Sequence, residues 1–318
     1  MQFFQANTDD FSRIEKFLLP WEFSCVTLSS YVRKHDEHIY IFAENQNSEG
    51  IFGLIYFDRV LLHCFPAFLN EDFSKQKDFE QALQAFVQKE IIESQKKLTC
   101  LNGAEPVTKL ILDLFEKLDI NPSQINHYKL MTLEEIPLEP PESISLDDEI
   151  KRCGNSEQDI ELLLELQKMY MAKEVAPVNH KVSDVEAAAQ LKSILKNQLC
   201  FALYSDGELV SKANTNAIGC NWVQLGGVYT HPLYRKNYYA WHLVYTLCTR
   251  IQKTGRRICL FVKEKNNPAV SLYTRIGFNY KSNYSIEDEF YIDADINPGI
   301  YKKKKLKSMS NNLTKPLC

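Results

Sequence analysis

The run from Trp222 to Phe278 limits this 318-residue chain more than any other stretch. Trp222–Thr230, WVQLGGVYT, reads as a strand. Tyr238–Lys253 follows as a helix with Ala240, Leu243, Val244, Leu247 and Ile251 on one face. Arg257–Val262 is apolar on both faces, which places it at the centre of a sheet. Pro268–Ile276 is a short helix that stops at Gly277, a residue suited to the left-handed end of a helix. Such a run demands a sheet covered by helices, so the expected class is α+β / α/β.

The same order of elements recurs across the chain. Leu199–Tyr204 and Glu208–Asn214 form a hairpin around Ser205-Asp206-Gly207. Before it lie a strand at Ile150–Cys153 and helices at Ile160–Met171 and Val185–Leu195. Earlier still come strands at Ile39–Ala43, Ile51–Val60 and Leu61–Phe65, a helix over Phe79–Glu93, a strand at Leu98–Leu101 and a helical stripe from Val107 to Leu118. The proline-rich acidic stretch Glu134–Glu149 separates the two halves as an extended connector. The expected organisation is a domain over 1–140, a second over 141–295 and a basic disordered tail over 296–318.

Composition excludes several classes. With 25% charged and 45% hydrophobic residues a packed core is expected. The net charge is −4, and −10 without the six lysines of the last 18 residues, so the body is no electrostatic nucleic-acid binder. Nucleic acid enters only through the tail, Lys302–Lys307. No apolar run is long enough to span a membrane, and the start, MQFFQANTDDF, lacks a signal-peptide pattern, so the expected location is cytoplasmic. The nine cysteines include no CxxC pair and the seven histidines no HxxxH, so buried reduced thiols and no metal are expected.

Chemistry concentrates in the first-named run. Gly226 and Gly227 inside a strand mark a bulge or a close approach. The turn HPLYRKNYYA then leads into a helix whose N-terminal amides and dipole favour phosphate, with Arg235 and Lys236 beside them. Asn266, followed by Asn267-Pro268, is a good helix start. His231 beside Pro232 reads as a turn residue or a base. Glu174 reads as a solvated helix-end charge or a base that binds an amine. Asn214 and Asn216 could face an acceptor.

These residues resemble the core of the GNAT superfamily of N-acetyltransferases. That family's pyrophosphate loop reads Gln/Arg-x-x-Gly-x-Gly/Ala. The matching positions here are Arg235, Lys236, Asn237, Tyr238, Tyr239 and Ala240. Its later motif, Asn-x-x-Ala-x-x-Leu-Tyr-x-x-x-Gly-Phe, is complete in Asn266, Ala269, Leu272, Tyr273, Gly277 and Phe278. The resemblance implies two GNAT-like domains, each a mixed, mostly antiparallel sheet flanked by helices. The first is degenerate, without a phosphate loop, and shapes the acceptor cleft.

The implied activity is direct transfer of acetyl from acetyl-CoA to a small-molecule or peptide amine. Main-chain groups of Val228, Tyr229 and Thr230 would hold the pantetheine and polarise the thioester carbonyl, the 235–240 amides would bind the pyrophosphate, Asn266 would bind the pantetheine arm, and Ala269 would lie against the cofactor. Tyr273 would protonate the leaving thiolate, with Glu174 on the acceptor side. Tyr238 stands where the family has glycine. Helical dihedrals are expected there, with the side chain crowding the phosphates or packing on adenine. A catalytically impaired acyl-CoA-binding regulatory module and an RNA-associated protein using the lysine tail remain as alternatives.

Overall fold

The structure, a computed structural model, describes residues 1–280 except 47, 71, 95, 136, 143 and 177–179, together with the backbone of 290–296. The tail expectation for 296–318 falls almost wholly outside these residues. The first half runs β1 (Gln2–Gln5), α1 (Phe11–Leu18), α2 (Val26–Val32), β2 (Ile39–Ala43), β3 (Gly53–Phe57) and β4 (Val60–Cys64). It continues with α3 (Pro66–Leu69), α4 (Gln76–Val87), β5 (Cys100–Ala104), α5 (Glu105–Lys117) and β6 (Pro122–Leu133). The second half repeats the plan: β7 (Asp148–Arg152), α6 (Glu157–Tyr170), α7 (Asp184–Asn197), β8 (Cys200–Ser205), β9 (Glu208–Ile218) and β10 (Trp222–Thr230). It closes with α8 (Tyr239–Gln252), β11 (Arg257–Lys263), α9 (Asn267–Ile276), β12 (Asn279–Tyr280) and β13 (Phe290–Ile296).

Each half is a mixed, mostly antiparallel sheet flanked by helices, with one parallel pair, β4–β5 and β10–β11 respectively. The halves share one continuous sheet because each donates its last strand to the other. In β6, Tyr128–Leu133 pairs antiparallel with Ile258–Lys263 of β11, and β13 pairs with Cys100–Ala104 of β5. The two donated strands then pair with each other across the middle. Strand β6 was not foreseen from sequence. Its alternating polar pattern, PSQINHYK, lacks an apolar face until Leu130, so only its partners make it a strand.

Apolar positions sort into separate cores. In the first half Phe42, Phe57, Phe65, Phe79, Leu83, Ile111 and Phe115 pack together between the sheet and α4 and α5. In the second, Leu225, Leu243, Val244, Leu247, Ile258, Leu260 and Phe278 do the same under α8 and α9. Strand β11 is buried at Ile258, Cys259 and Leu260, as its two-faced apolar run requires. The helix starts follow local chemistry: Ser156 caps α6 at 3.1 Å, and Ser183 with Glu186 forms a capping box on α7. The proline-rich connector lies along α8, where Trp241 Nε1 donates to the Leu138 carbonyl at 2.9 Å and Gln252 to that of Glu135 at 2.8 Å. No described helix is long and apolar enough to cross a membrane.

A buried carboxylate links the halves at their other contact. Glu22 is 1% exposed. It accepts from Ser29 Oγ at 2.8 Å, from the Asn221 backbone at 3.0 Å, from Asn221 Nδ2 at 3.1 Å and from the Trp222 backbone at 3.3 Å. These bonds hold the turn between β9 and β10 against the start of α2. Replacing Glu22 with Ala strands several buried donors, so Glu22→Ala should lower unfolding stability by about 2–4 kcal/mol. Urea denaturation followed by tryptophan fluorescence checks this, and a loss under about 0.5 kcal/mol contradicts it.

Candidate functional site

Strands β10 and β11 run parallel only while Trp222–Leu225 pairs with Arg257–Leu260. Beyond that point the β10–β9 register shifts between Gly226 and Tyr229, so the glycine pair forms the bulge expected of it. Gly227 has φ of +59°, and a Cβ there would lie 1.8 Å from Asn214 Oδ1. A Cβ on Gly226 would lie 2.1 Å from Asn216 Nδ2. Only glycine lets these asparagines approach the strand.

The separated strands open a cavity of about 410 Å³. Val228, Asn266, Ala269, Tyr273 and Glu174 line it together, and so do Asn214 and Asn216. Sequence reasoning missed Tyr170, Gln190, Gln224 and Lys263, and also Asn102 and Tyr128, which the first half contributes through β5 and β6. The last two had no signal in the sequence, because strand exchange alone brings them here.

Glu174 lies on a π-helical turn, Met171–Val175, that extends α6. Its Oε2 accepts from Asn266 Nδ2 at 3.4 Å. Asn266 Oδ1 also accepts from the Ala269 backbone at 3.3 Å and caps α9. The two residues therefore join the rim of the cavity from opposite sides. Tyr273 is 7% exposed at the cavity wall. Burial pushes its phenol above the ordinary tyrosine range, and the electrostatic effects of Tyr170, Cys248 and Glu174 add to this. Tyr170 is pushed up to about 12, first by burial and then by Glu174. Both phenols stay protonated at neutral pH and can act as proton donors.

The remaining expected residues lie beyond the cavity, around the β10–α8 turn. Tyr229 is buried, with its ring centroid 6.3 Å from that of Tyr170 and under the Arg235 guanidinium at 5.6 Å. Thr230 Oγ1 meets Ser211 Oγ at 2.8 Å, and its carbonyl accepts from Arg235 Nε at 3.2 Å. Arg235, Lys236 and Asn237 are exposed. Tyr239 is tied to Ser205 Oγ at 3.0 Å, and Ala240 lies in the first turn of α8. That turn carries no acidic residue and no side-chain cap, so its amides remain suited to an anion. His231 Nδ1 accepts from the Leu233 backbone at 3.4 Å, which is the turn role.

Tyr238 departs from the helical dihedrals expected for it. Its φ is +58° and ψ 5°, and Lys236 has φ of +72°. Both positions hold the left-handed backbone that glycine adopts freely, so the loop keeps a glycine-like path with side chains attached. The half-buried Tyr238 ring packs toward Trp241, at 6.3 Å between centroids.

In the first half, where the β4–β5 pairing ends at Leu62 and Asn102, a ring occupies the space beyond. It is the His63 ring, with Nε2 2.9 Å from Thr108 Oγ1, and a Cβ on Gly103 would lie 2.1 Å from that ring. Burial pushes the imidazole down to about 3, so the plug is uncharged. Among the described residues no cluster of His, Cys, Asp or Glu could hold a metal ion.

A family model described as FR47-like protein matches residues 203–286. No curated protein sequence matches the chain. A solved Drosophila protein shares 11% identity and a TM-score of 0.62, over 94% of this chain and 99% of that one. A tandem GNAT protein from the clavulanic acid biosynthesis pathway shares 10% identity and a TM-score of 0.53, over 95% and 99%. A GNAT-family protein from Novosphingobium aromaticivorans shares 17% identity with a TM-score of 0.41, and the match spans 56% of this chain and 66% of that one.

The bulge makes a direct test of the site's construction. Gly227→Ala forces both strain and a clash with Asn214, and should lower stability by about 2 kcal/mol or more. Gly207→Ala has a similar positive φ, +79°, but open space around it, so it should lose only about 1 kcal/mol. Equal losses in urea denaturation would show that the asparagine contact does not hold the bulge.

Proposed function

From a tandem GNAT fold with its cavity in the second repeat, we propose that this chain is an acetyl-CoA-dependent N-acetyltransferase. Residues 141–295 form the catalytic repeat, and residues 1–140 a non-catalytic one that walls the acceptor side. The acceptor is a small-molecule or peptide amine in the cytoplasm. One observation carries the reading: the strand opening brings the Val228 backbone, the Tyr273 phenol and the Glu174 carboxylate to one cavity.

The residues present suit coenzyme A. The β10–β11 gap accommodates an extended chain, and the uncapped first turn of α8, with Arg235 and Lys236 beside it, suits phosphate. Acetyl-CoA supplies the activated acyl group. Val228 donates its amide to the thioester carbonyl as charge develops there. Asn266 holds the pantetheine arm, and the amides of 235–240 hold the pyrophosphate. Glu174 takes a proton from the acceptor amine, which then attacks the carbonyl carbon. The C–S bond of the tetrahedral adduct breaks as the carbonyl re-forms, Tyr273 gives its proton to the departing sulfur, and the proton lost by the new amide nitrogen returns the phenol to its neutral form. Alignment of both reactants in one cavity supplies much of the acceleration.

A second reading follows from the left-handed Tyr238 and Lys236. A loop whose side chains crowd the phosphates would make the chain an impaired acyl-CoA-binding regulatory module. Calorimetric titration of acetyl-CoA, followed by a screen of amine acceptors for released CoA, separates the two. Micromolar binding to wild type with release supports the enzyme, and the same binding without release supports the module. Binding to Tyr238→Gly alone supports a lost cofactor site, and binding to neither removes both readings. In an amine-acceptor screen, Tyr273→Phe should then lower kcat by about 10²-fold or more with acetyl-CoA affinity little changed. An unchanged kcat would reduce Tyr273 to a packing residue.

A further inference from the structure

Among the described residues, Lys212 is the one charged side chain of the sheet interior that this reaction scheme leaves unused. It lies in the middle of β9, with 0% of its surface exposed. Its Nζ donates to the Gly227 carbonyl at 3.0 Å and to Asn214 Oδ1 at 3.2 Å, and it sits 4.8 Å from the Tyr170 ring centroid. A buried ammonium is costly unless something compensates it. Here the compensation is a backbone carbonyl at the bulge, an amide oxygen and an aromatic face. No carboxylate takes that part.

The carbonyl it holds belongs to a sensitive peptide. The β9 register skips Gly227 and Val228, so no β9 backbone partner fixes the plane between them. In a planar trans peptide the C=O and the following N–H point in opposite directions. Anchoring the Gly227 carbonyl on Lys212 therefore turns the Val228 N–H away from the ammonium, and Val228 is a residue of the cavity wall. The ammonium also sets an amide direction. Because it only donates, Asn214 must present Oδ1 to it, which sends Asn214 Nδ2 to the Thr215 carbonyl at 2.9 Å and to Asn216 Oδ1 at 3.2 Å.

We propose that Lys212 is a positioning residue that aims the Val228 amide at the thioester carbonyl and steadies the bulge while negative charge develops there. This rests on the acetyltransferase reading above. The lysine acts through the Gly227–Val228 peptide and touches no substrate atom itself. The groups facing it are Cys200 on β8, Cys153 after β7, Tyr170 on α6 with Glu174 beyond it, and its register partner Tyr229 on β10. Burial lowers its pKa to about 8, against the opposing influence of Cys200 and Cys153. The charged form is therefore present below pH 8 and lost above it.

The test uses the infrared carbonyl stretch of acetyl-CoA, labelled with ¹³C at the thioester carbon and bound to the full chain. On wild type at pH 7 the stretch should shift to lower frequency than in solution. Lys212→Met should bind acetyl-CoA within about tenfold of wild type by calorimetry yet lose that shift. In wild type the shift should also shrink as pH rises through 8 while binding persists. Retention of the full shift in Lys212→Met overturns the proposal. Should that variant not fold, a wild-type shift that is constant from pH 7 to above the lysine's pKa overturns it instead. Wild-type binding with no shift overturns the positioning role and leaves the acetyltransferase reading standing. No binding by wild type overturns both.

Discussion

The hydrogen bonds between β6 and β11 carry the rest of the structure. Strand β11 meets β10 over only Arg257–Leu260, and that partnership must end early for a cavity to exist. Left with β10 alone, β11 would expose a long apolar edge just where the site opens. The exchange of β6 supplies an antiparallel partner from Ile258 to Lys263, past the point where β10 departs. The gap can therefore stay open on one side because the strand is held on the other. The same exchange delivers Tyr128 to the cavity wall, and β13 repeats the pairing on β5. Opening and closure are thus one arrangement, and the two halves cannot separate without undoing the cavity.

The repeats use glycine in the same way to opposite ends. In each, a glycine on a strand lets a neighbouring side chain come close to the backbone. At Gly103 the neighbour is His63, and at Gly53 it is Phe65, whose ring a Cβ would meet at 2.0 Å. Both rings are buried in the first repeat. At Gly226 and Gly227 the neighbours are Asn216 and Asn214, whose amides line the cavity rather than close it. Buried rings beside the glycines of the first repeat and amides beside those of the second thus distinguish the two without any change of topology.

Much of this was legible in the sequence, and the gaps have physical causes. Strands and helices from Trp222 to Phe278 came through because their apolar periods are strong and their ends carry Gly, Asn and Pro signals. The Gly226-Gly227 bulge was legible for the same reason. The first strand and helices, β1, α1 and α2, went unread, as did β6. In β6 the polar alternation is compatible with an exposed segment, and only distant partners make it a strand. Tyr238 was misjudged because a residue type does not report its own φ. The glycine at this position in the GNAT loop that the segment resembles reports it better, since a left-handed site stays left-handed when the surrounding loop over-determines it.

Lys212 was legible in principle. In ELVSKANTNAI it shares a strand face with Asn214 and Asn216, so a lysine aligned with two amides signals a polar seam rather than a solvent face. The seam also explains why the charge is tolerated. Moving Lys212 outward would free the Gly227 carbonyl and let Asn214 reverse its amide, which loosens the bulge that the glycines permit. Replacing the seam with a bulky ring would fill the space beside the glycines, as His63 does at Gly103 in the other repeat. A buried cation with neutral partners is therefore the arrangement that keeps this peptide both open to the cavity and fixed in direction. Its cost in desolvation is set against the conformational freedom that two adjacent glycines would otherwise keep.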